Sequence, residues 1–332
     1  MHVTRLMALL VLLAFQQKGT TTIAKGDPLP AKPGLVRRNF AKSFYMLNVP
    51  GGWKPEKRPG LILFMHGSGG RAEGAIGTFT MALDKGYILF SPETIAENRM
   101  AWDPDEDGKN IIAMIEEVIR VFNVDRDRLL CSGFSAGGAQ TIPQMCVNVD
   151  FFTAGSPCGG CCYSAELEKN PALSFYVYCG KKDAIAYTGA EQAYDSLDKK
   201  GFNVRFIAPE NIGHAMEPGG WQKIFDWFDG LIPEEQLPYF HGARDFMEKK
   251  QPGKAVATLK KLAAMKTVTR HAKGRCDRLC AQIEAAGADE LAKAKEIEDP
   301  KKAVEALTKL KASYDGAEIG AKIEAALKEL KK

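Results

Sequence analysis

Over its first two thirds the chain alternates short, almost uniformly apolar runs with segments of helical periodicity. The runs are Leu61-Ile62-Leu63-Phe64-Met65, Tyr87 to Phe90, Arg128 to Phe134, Phe151 to Ala154, Ser174 to Cys179 and Asn203 to Ile207. Runs of this length bounded by turn residues predict strands buried on both faces, as in a parallel sheet. Between them, Asp107 to Phe122 carries Ile111, Ile112, Ile115, Val118, Ile119 and Phe122 at a spacing that makes one apolar helix face. Ala136 to Cys146 is helix-compatible, but Pro143 predicts a kink or a late start. Another helix is expected from about Thr188 to Lys200. Strand and helix in alternation predict an α/β fold with a mostly parallel sheet flanked by helices.

The pattern changes near Pro233. Beyond it the chain is rich in alanine, lysine and leucine and predicts several short amphipathic helices. Pro252-Gly253-Lys254-Ala255-Val256-Ala257-Thr258-Leu259-Lys260-Lys261-Leu262 returns, 48 residues later, as Pro300-Lys301-Lys302-Ala303-Val304-Glu305-Ala306-Leu307-Thr308-Lys309-Leu310. This looks like a degenerate tetratricopeptide-type array of about two units. The expected layout is a leader over 1–24, an α/β domain over 25–232 and a small all-α domain over 233–332. The array could bind a protein partner or a surface polymer; a helical cap or spacer is the competing reading.

Charge adds little to this picture. The whole chain has 45 basic and 41 acidic residues; from Leu231 on there are 21 and 16, which leaves 24 and 25 for the rest. The basic excess is confined to the tail, mixed with acids and without interleaved aromatics, so nucleic-acid binding is not expected. The first residues carry Arg5, then an apolar run from Leu6 to Phe15, then polar residues. This pattern predicts a secretory signal segment and a secreted or periplasmic protein, with no integral membrane segment after its removal. A cut after Ala24 fits the small-residue preference only in part. The eight cysteines, among them the cluster Cys158-Gly159-Gly160-Cys161-Cys162, suggest one or two structural disulfides, with Cys131 and Cys179 as buried strand thiols. A zinc site there lacks a partner pair.

The chemistry starts from Gly133-Phe134-Ser135-Ala136-Gly137, placed between an expected strand and an expected helix. Such a turn is tight enough to demand very small residues around the serine, and it lifts the hydroxyl above the sheet edge. Upstream, the run ending at Met65 leads into His66-Gly67-Ser68-Gly69-Gly70. A glycine-rich loop there can present backbone N–H groups to a developing oxyanion, and Ser68 and Ala136 are the expected donors. A phosphate loop is the competing reading, but the loop has neither the Gly-Lys-Ser/Thr ending nor the dinucleotide glycine spacing. Downstream, Gly180-Lys181-Lys182-Asp183 follows the run ending at Cys179, and Gly213-His214 follows the one ending at Ile207. Asp183 is preferred over Asp195 and Asp198, which fall on the following helix. Of the five histidines, His2 lies in the leader, His66 before the glycine loop, and His241 and His271 in the tail, so His214 is the expected base. The order Ser135, Asp183, His214 is the one found in serine hydrolases built on a parallel α/β sheet.

With these motifs the segment from about Ala41 to Leu231 resembles the α/β-hydrolase superfamily. Within it, the chain is similar to the secreted polyhydroxybutyrate depolymerase, feruloyl esterase and phospholipase/carboxylesterase-like group. The resemblance also takes in Val124-Asp125-Arg126-Asp127-Arg128 before the serine strand and Gly138 after it. It implies a serine esterase that forms an acyl-enzyme at Ser135 and needs no metal or organic cofactor. One departure is His214-Ala215-Met216-Glu217-Pro218-Gly219-Gly220-Trp221, where depolymerase-like members often carry tryptophan and proline directly after the histidine. Trp102 and Trp221 are the aromatic candidates for a substrate pocket, although Trp102 could equally pack its loop. Asp103, Asp105, Glu106 and Asp107 lack calcium-loop spacing and are read as charge at a helix N-terminus. A prolyl-oligopeptidase-like peptidase and an inert scaffold that works through its helices are the alternatives to an esterase.

Overall fold

The computed structural model describes residues 20–330. The chain divides after Phe228 into two compact units.

The first unit is built on a nine-stranded sheet among the described residues. Its strands are β1 (Thr21–Ile23), β2 (Gly34–Phe40), β3 (Ser43–Val49), β4 (Leu61–Met65), β5 (Ile88–Pro92), β6 (Leu129–Phe134), β7 (Ala154–Cys158), β8 (Ser174–Tyr178) and β9 (Asn203–Ile207). Their order is β1-β2-β3-β5-β4-β6-β7-β8-β9. β3 runs antiparallel to both β2 and β5, and every other pair is parallel. The helices are α1 (Ala72–Ala75), α2 (Glu106–Phe122), α3 (Ala136–Val147), α4 (Tyr187–Lys199) and α5 (Gly220–Asp229). Because side chains alternate along a strand, Leu61, Leu63 and Met65 share one face of β4. They belong to one apolar cluster with Ile115, Val118 and Phe122 of α2. Each such side chain, fully buried, contributes about 1.5–3 kcal/mol before ordering entropy is counted.

Three details depart from the pattern read in the sequence. β7 begins at Ala154, three residues after the expected Phe151, so Cys158 is a strand residue and not a loop residue. α3 starts directly after Ser135 and runs unbroken through Pro143. Pro143 has no N–H to give the carbonyl of Ala139 one turn back. The Cys162 thiol donates to that oxygen instead, at 3.8 Å. The expected disulfides are not formed either, and all eight cysteines are free thiols. Cys131 and Cys158 are buried strand residues, while the Cys161 thiol turns to Cys162 O and that of Cys162 to Ala139 O.

Strands β1 to β3, at one end of the sheet, carry no strong sequence signal, and a part-buried ion pair anchors them. Arg38 on β2 donates from Nη2 to Glu117 Oε1 of α2 at 2.7 Å and from Nε to Oε2 at 3.2 Å. Tyr45 on β3 donates to the same Oε2 at 2.6 Å. Burial would raise the Glu117 carboxyl, but the bonds from Arg38 and Tyr45 outweigh it and hold the carboxyl below its ordinary value. The leader expected over residues 1–24 lies outside the described residues up to position 19; Thr21–Ile23 pairs with β2 as β1.

The second unit is all-α, with α6 (Leu237–Glu248), α7 (Pro252–Ala263), α8 (Arg270–Lys295), α9 (Pro300–Ser313) and α10 (Glu318–Leu330). The two prolines of the sequence repeat each open a helix, α7 and α9. There the missing N–H would have had no intrahelical partner. Thr269 caps α8 by accepting from Ala272 N–H, and Asp299 caps α9 by accepting from Lys301 and Lys302 N–H. Phe240, Val256, Leu259, Leu262, Leu307 and Ile323 belong to its own apolar core. No helix of the described residues is long and apolar enough to cross a membrane.

Candidate active site

β4, β6, β8 and β9 are parallel neighbours or near neighbours, so the loops at their C-terminal ends gather along one edge of the sheet. The segments after these four strands carry the glycine loop, Ser135, Asp183 and His214.

Ser135 occupies the turn between β6 and α3 with φ 57° and ψ −117°, a backbone state that L-residues rarely adopt. The close approach of β6 to α3 explains the flanking glycines. A Cβ on Gly133 would lie 2.3 Å from Gly137 O, and one on Gly137 would lie 2.1 Å from Met65 O. The Ser135 N–H donates to Cys158 O on β7 at 2.9 Å, which ties the turn to the sheet.

The Ser135 hydroxyl lies 2.8 Å from His214 Nε2, and His214 Nδ1 lies 2.7 Å from Asp183 Oδ2. An ionised carboxylate only accepts, so Nδ1 carries the proton and Nε2 is the lone-pair nitrogen facing the serine. The Asp183 side chain is 1% exposed and that of His214 31%. Burial would push the Asp183 carboxyl up. The hydrogen bond from His214 and the N–H groups of Ala186 and Ile185 reverse this, holding the carboxyl below its ordinary value. Asp195 and Asp198 lie exposed on α4.

The glycine loop abuts the serine, since a Cβ on Gly67 would lie 3.2 Å from Ser135 Cβ. Within the loop, Gly69 N–H donates to Arg99 O at 2.8 Å and Gly70 N–H to Gly67 O at 2.9 Å. Among the described residues, no protein acceptor is found for the N–H of Ser68 or of Ala136. The latter belongs to the first turn of α3, where backbone donors have no intrahelical partner.

The two tryptophans sit around this centre. Trp102 is 8% exposed, its ring 4.7 Å from that of His66, and its Nε1 donates to His66 O at 3.0 Å. Trp221 packs edge-on against Phe64 at 5.1 Å and Phe79 at 5.4 Å, and meets Phe134 at 6.4 Å. Phe134 in turn lies 5.1 Å from the His214 ring.

Three further residues shape the site in roles that did not stand out in the sequence. The Tyr178 hydroxyl, at the end of β8, accepts from Glu217 N–H at 2.8 Å and donates to Ala215 O at 3.5 Å, pinning the segment after His214. The Cys179 thiol donates to Asp183 Oδ2 at 3.5 Å. Burial and then the neighbouring Asp183 charge push this thiol up to about 12, so it stays a donor. Glu93, after β5, faces His66 and Arg99. Tyrosine and cysteine at strand ends are too common for sequence to flag. Of the acidic cluster, Asp107 turns inward and accepts from Thr94 Oγ1, Ile95 N–H and Asp103 N–H, so it orders the loop before α2.

Comparison with protein-family models finds no match. The chain is 26% identical over 115 residues to a bifunctional acetylxylan esterase/xylanase of Neocallimastix patriciarum; the match covers 34% of this chain and 17% of that protein. Among solved structures it is similar to the acylaminoacyl peptidase of Pyrococcus horikoshii, with a TM-score of 0.50 and 17% identity over 60% of this chain and 41% of that one. The fold is the α/β-hydrolase fold. The acetyl xylan esterase of Aspergillus awamori aligns with a TM-score of 0.47 and 14% identity, over 56% of this chain and 93% of that one. The curated relative and the peptidase are each covered over less than two thirds of their own length.

Proposed function

We propose that the protein is an exported serine hydrolase that cleaves carboxylic esters through an acyl-enzyme at Ser135. The observation that carries this reading is the continuous relay from Ser135 Oγ to His214 Nε2 at 2.8 Å and from His214 Nδ1 to Asp183 Oδ2 at 2.7 Å. In this reading Ser135 Oγ attacks the ester carbonyl carbon as its proton passes to His214 Nε2. The carbonyl oxygen becomes an oxyanion that accepts from the N–H groups of Ser68 and Ala136. Collapse of that adduct breaks the bond to the alcohol oxygen, which takes the proton from His214 Nε2. Water then repeats the sequence and releases the acid. Asp183 holds the Nδ1 proton and stabilises the imidazolium without taking the proton itself.

The ester preference is supported by the curated relative, whose name pairs acetylxylan esterase with xylanase activity. Acetylated or feruloylated polysaccharide and polyester fragments are the substrate classes to try first. The peptidase alternative shares the fold. Export rests on the apolar run of residues 6–15. A fluorophosphonate probe should label Ser135 in the folded protein and leave Ser135→Ala unlabelled. p-Nitrophenyl acetate should be turned over well ahead of amino-acid p-nitroanilides. Preference for the anilides would make the protein a peptidase, and absence of labelling would make the unit inert.

A further inference from the structure

Three residues of the glycine loop, His66, Ser68 and Gly69, are gripped by a segment about thirty positions later in the chain. Trp102 Nε1 donates to His66 O at 3.0 Å, and its ring lies against the imidazole. Ser68 Oγ donates to Met100 O at 2.7 Å, and Gly69 N–H donates to Arg99 O at 2.8 Å. Glu93 closes the set: its Oε1 lies 3.1 Å from Arg99 Nε and 3.5 Å from His66 Nε2, and its Oε2 accepts from Ala72 N–H at 3.0 Å. Arg99 takes a left-handed backbone, φ 52°, which turns its carbonyl toward Gly69 while its side chain returns to Glu93. The gripping segment is itself held by Asp107, through Thr94, Ile95 and Asp103.

We propose that Glu93, Arg99 and Trp102 form a clamp that fixes the His66–Gly70 loop in its oxyanion-binding shape, with Trp102 as the chief positioning residue. The inference rests on the ester-hydrolase reading above, because it gives the clamp a reaction to serve. The physical need is plain. His66-Gly67-Ser68-Gly69-Gly70 has three glycines in five residues, and glycine gives up more conformational freedom on ordering than any other residue. An N–H donor lowers a barrier only if it already points where the negative charge will form. Nothing inside the loop except the Gly70 N–H to Gly67 O bond and the His66 Nδ1 to Gly67 O contact fixes its shape. The direction of the Ser68 N–H therefore depends on bonds to the peptide groups flanking its own, at His66 O and Gly69 N–H, and on the Ser68 Oγ bond to Met100 O, all of them made by the 99–102 segment. Trp102 spends its only polar group on His66 and keeps little surface for a substrate, which fits a role in positioning.

Trp102→Phe keeps an aromatic ring beside His66 and removes the one N–H. Glu93→Gln keeps an acceptor for Ala72 N–H and removes the charge facing Arg99. In the full chain with p-nitrophenyl acetate, Trp102→Phe should lower kcat about tenfold, a fraction of what loss of a whole oxyanion donor costs, and leave KM within about twofold. Glu93→Gln should lower kcat about threefold by the same route. Inhibition by phenylboronic acid, whose serine adduct is tetrahedral and anionic, should weaken in the same proportion as kcat in each variant. A merely structural role predicts a lower melting temperature with kcat and boronate inhibition of the folded fraction unchanged, and that result would overturn the clamp. Should Trp102→Phe fail to fold, Glu93→Gln decides alone by the same two readouts. A wild-type protein inert to ester, boronate and fluorophosphonate would overturn the hydrolase reading and the clamp with it. An active wild type with indifferent variants overturns the clamp only.

Discussion

Gly137→Ala tests the close packing that shapes the nucleophile turn. The added Cβ would sit 2.1 Å from Met65 O, 2.6 Å from Met65 C and 2.7 Å from His66 O. A relaxed contact needs about 3.5 Å, so the start of α3 must withdraw from the end of β4 by about 1.4 Å. Those contacts are backbone on both sides, so no side chain can swing away to absorb the methyl. The withdrawal moves Ala136 N–H and Ser135 on one side relative to the glycine loop on the other. Misplacement of reacting groups by about 1 Å costs about a hundredfold in rate, and overpacking costs about 1–3 kcal/mol in stability. The expected result is a folded protein with a melting temperature several degrees lower and kcat for p-nitrophenyl acetate down by about two orders of magnitude. Gly74→Ala is the control, since a Cβ there meets nothing within 4 Å and the residue is helical. It should leave kcat unchanged. If Gly137→Ala kept more than a third of wild-type kcat, the tight approach of α3 to β4 would not be what holds the site.

Asp183→Asn keeps the shape of the side chain but lets the amide impose the wrong histidine tautomer, so kcat should fall by about 10⁴ with little change in melting temperature. Tyr178→Phe removes the hydroxyl shared by Ala215 and Glu217; kcat should fall several-fold as the His214 segment loosens, and steady-state kinetics would show it. Asp183, Glu93 and Glu117 all have carboxyls held below their ordinary values in the folded state. The unfolded chain therefore binds protons first as pH falls. Their stabilisation is complete above the ordinary carboxylate range, about pH 5, and is lost as pH drops through the lower folded values. Urea denaturation at pH 7, 5, 4 and 3 should follow that course, and Glu117→Gln should lower stability at pH 7 while making its acid loss shallower.

The parts of this molecule that sequence reveals are those whose requirement is local. A strand that turns straight into a helix at a serine leaves room only for very small residues beside it, and that demand is written into five consecutive residues. Proline at the first position of α7 and α9 is equally local, because only there does its missing N–H matter little. What the sequence hides depends on distant partners. Arg38 is buried on a strand because Glu117 waits 79 positions away. Pro143 interrupts nothing because Cys162 supplies a donor to the stranded carbonyl. Trp102 reads as a loop aromatic until its bond to His66 O, 36 positions upstream, is seen. The cysteines invite pairing by their number and spacing, yet they stay free thiols that serve as small apolar fillers and weak donors.

The backbone at Ser135 carries a consequence for the history of such a chain. At φ 57° and ψ −117° a serine is strained where glycine would be at ease. Strain of this kind costs about 1–3 kcal/mol, a noticeable share of the 5–15 kcal/mol that holds a typical domain together. On the proposed reading of Ser135 as the nucleophile, selection for catalysis has to oppose that cost in every generation. A lineage released from catalysis would gain stability by exchanging Ser135 for glycine while keeping Gly133 and Gly137, whose constraint is steric. Among descendants, a glycine at position 135 inside an otherwise intact turn would therefore mark a retired enzyme.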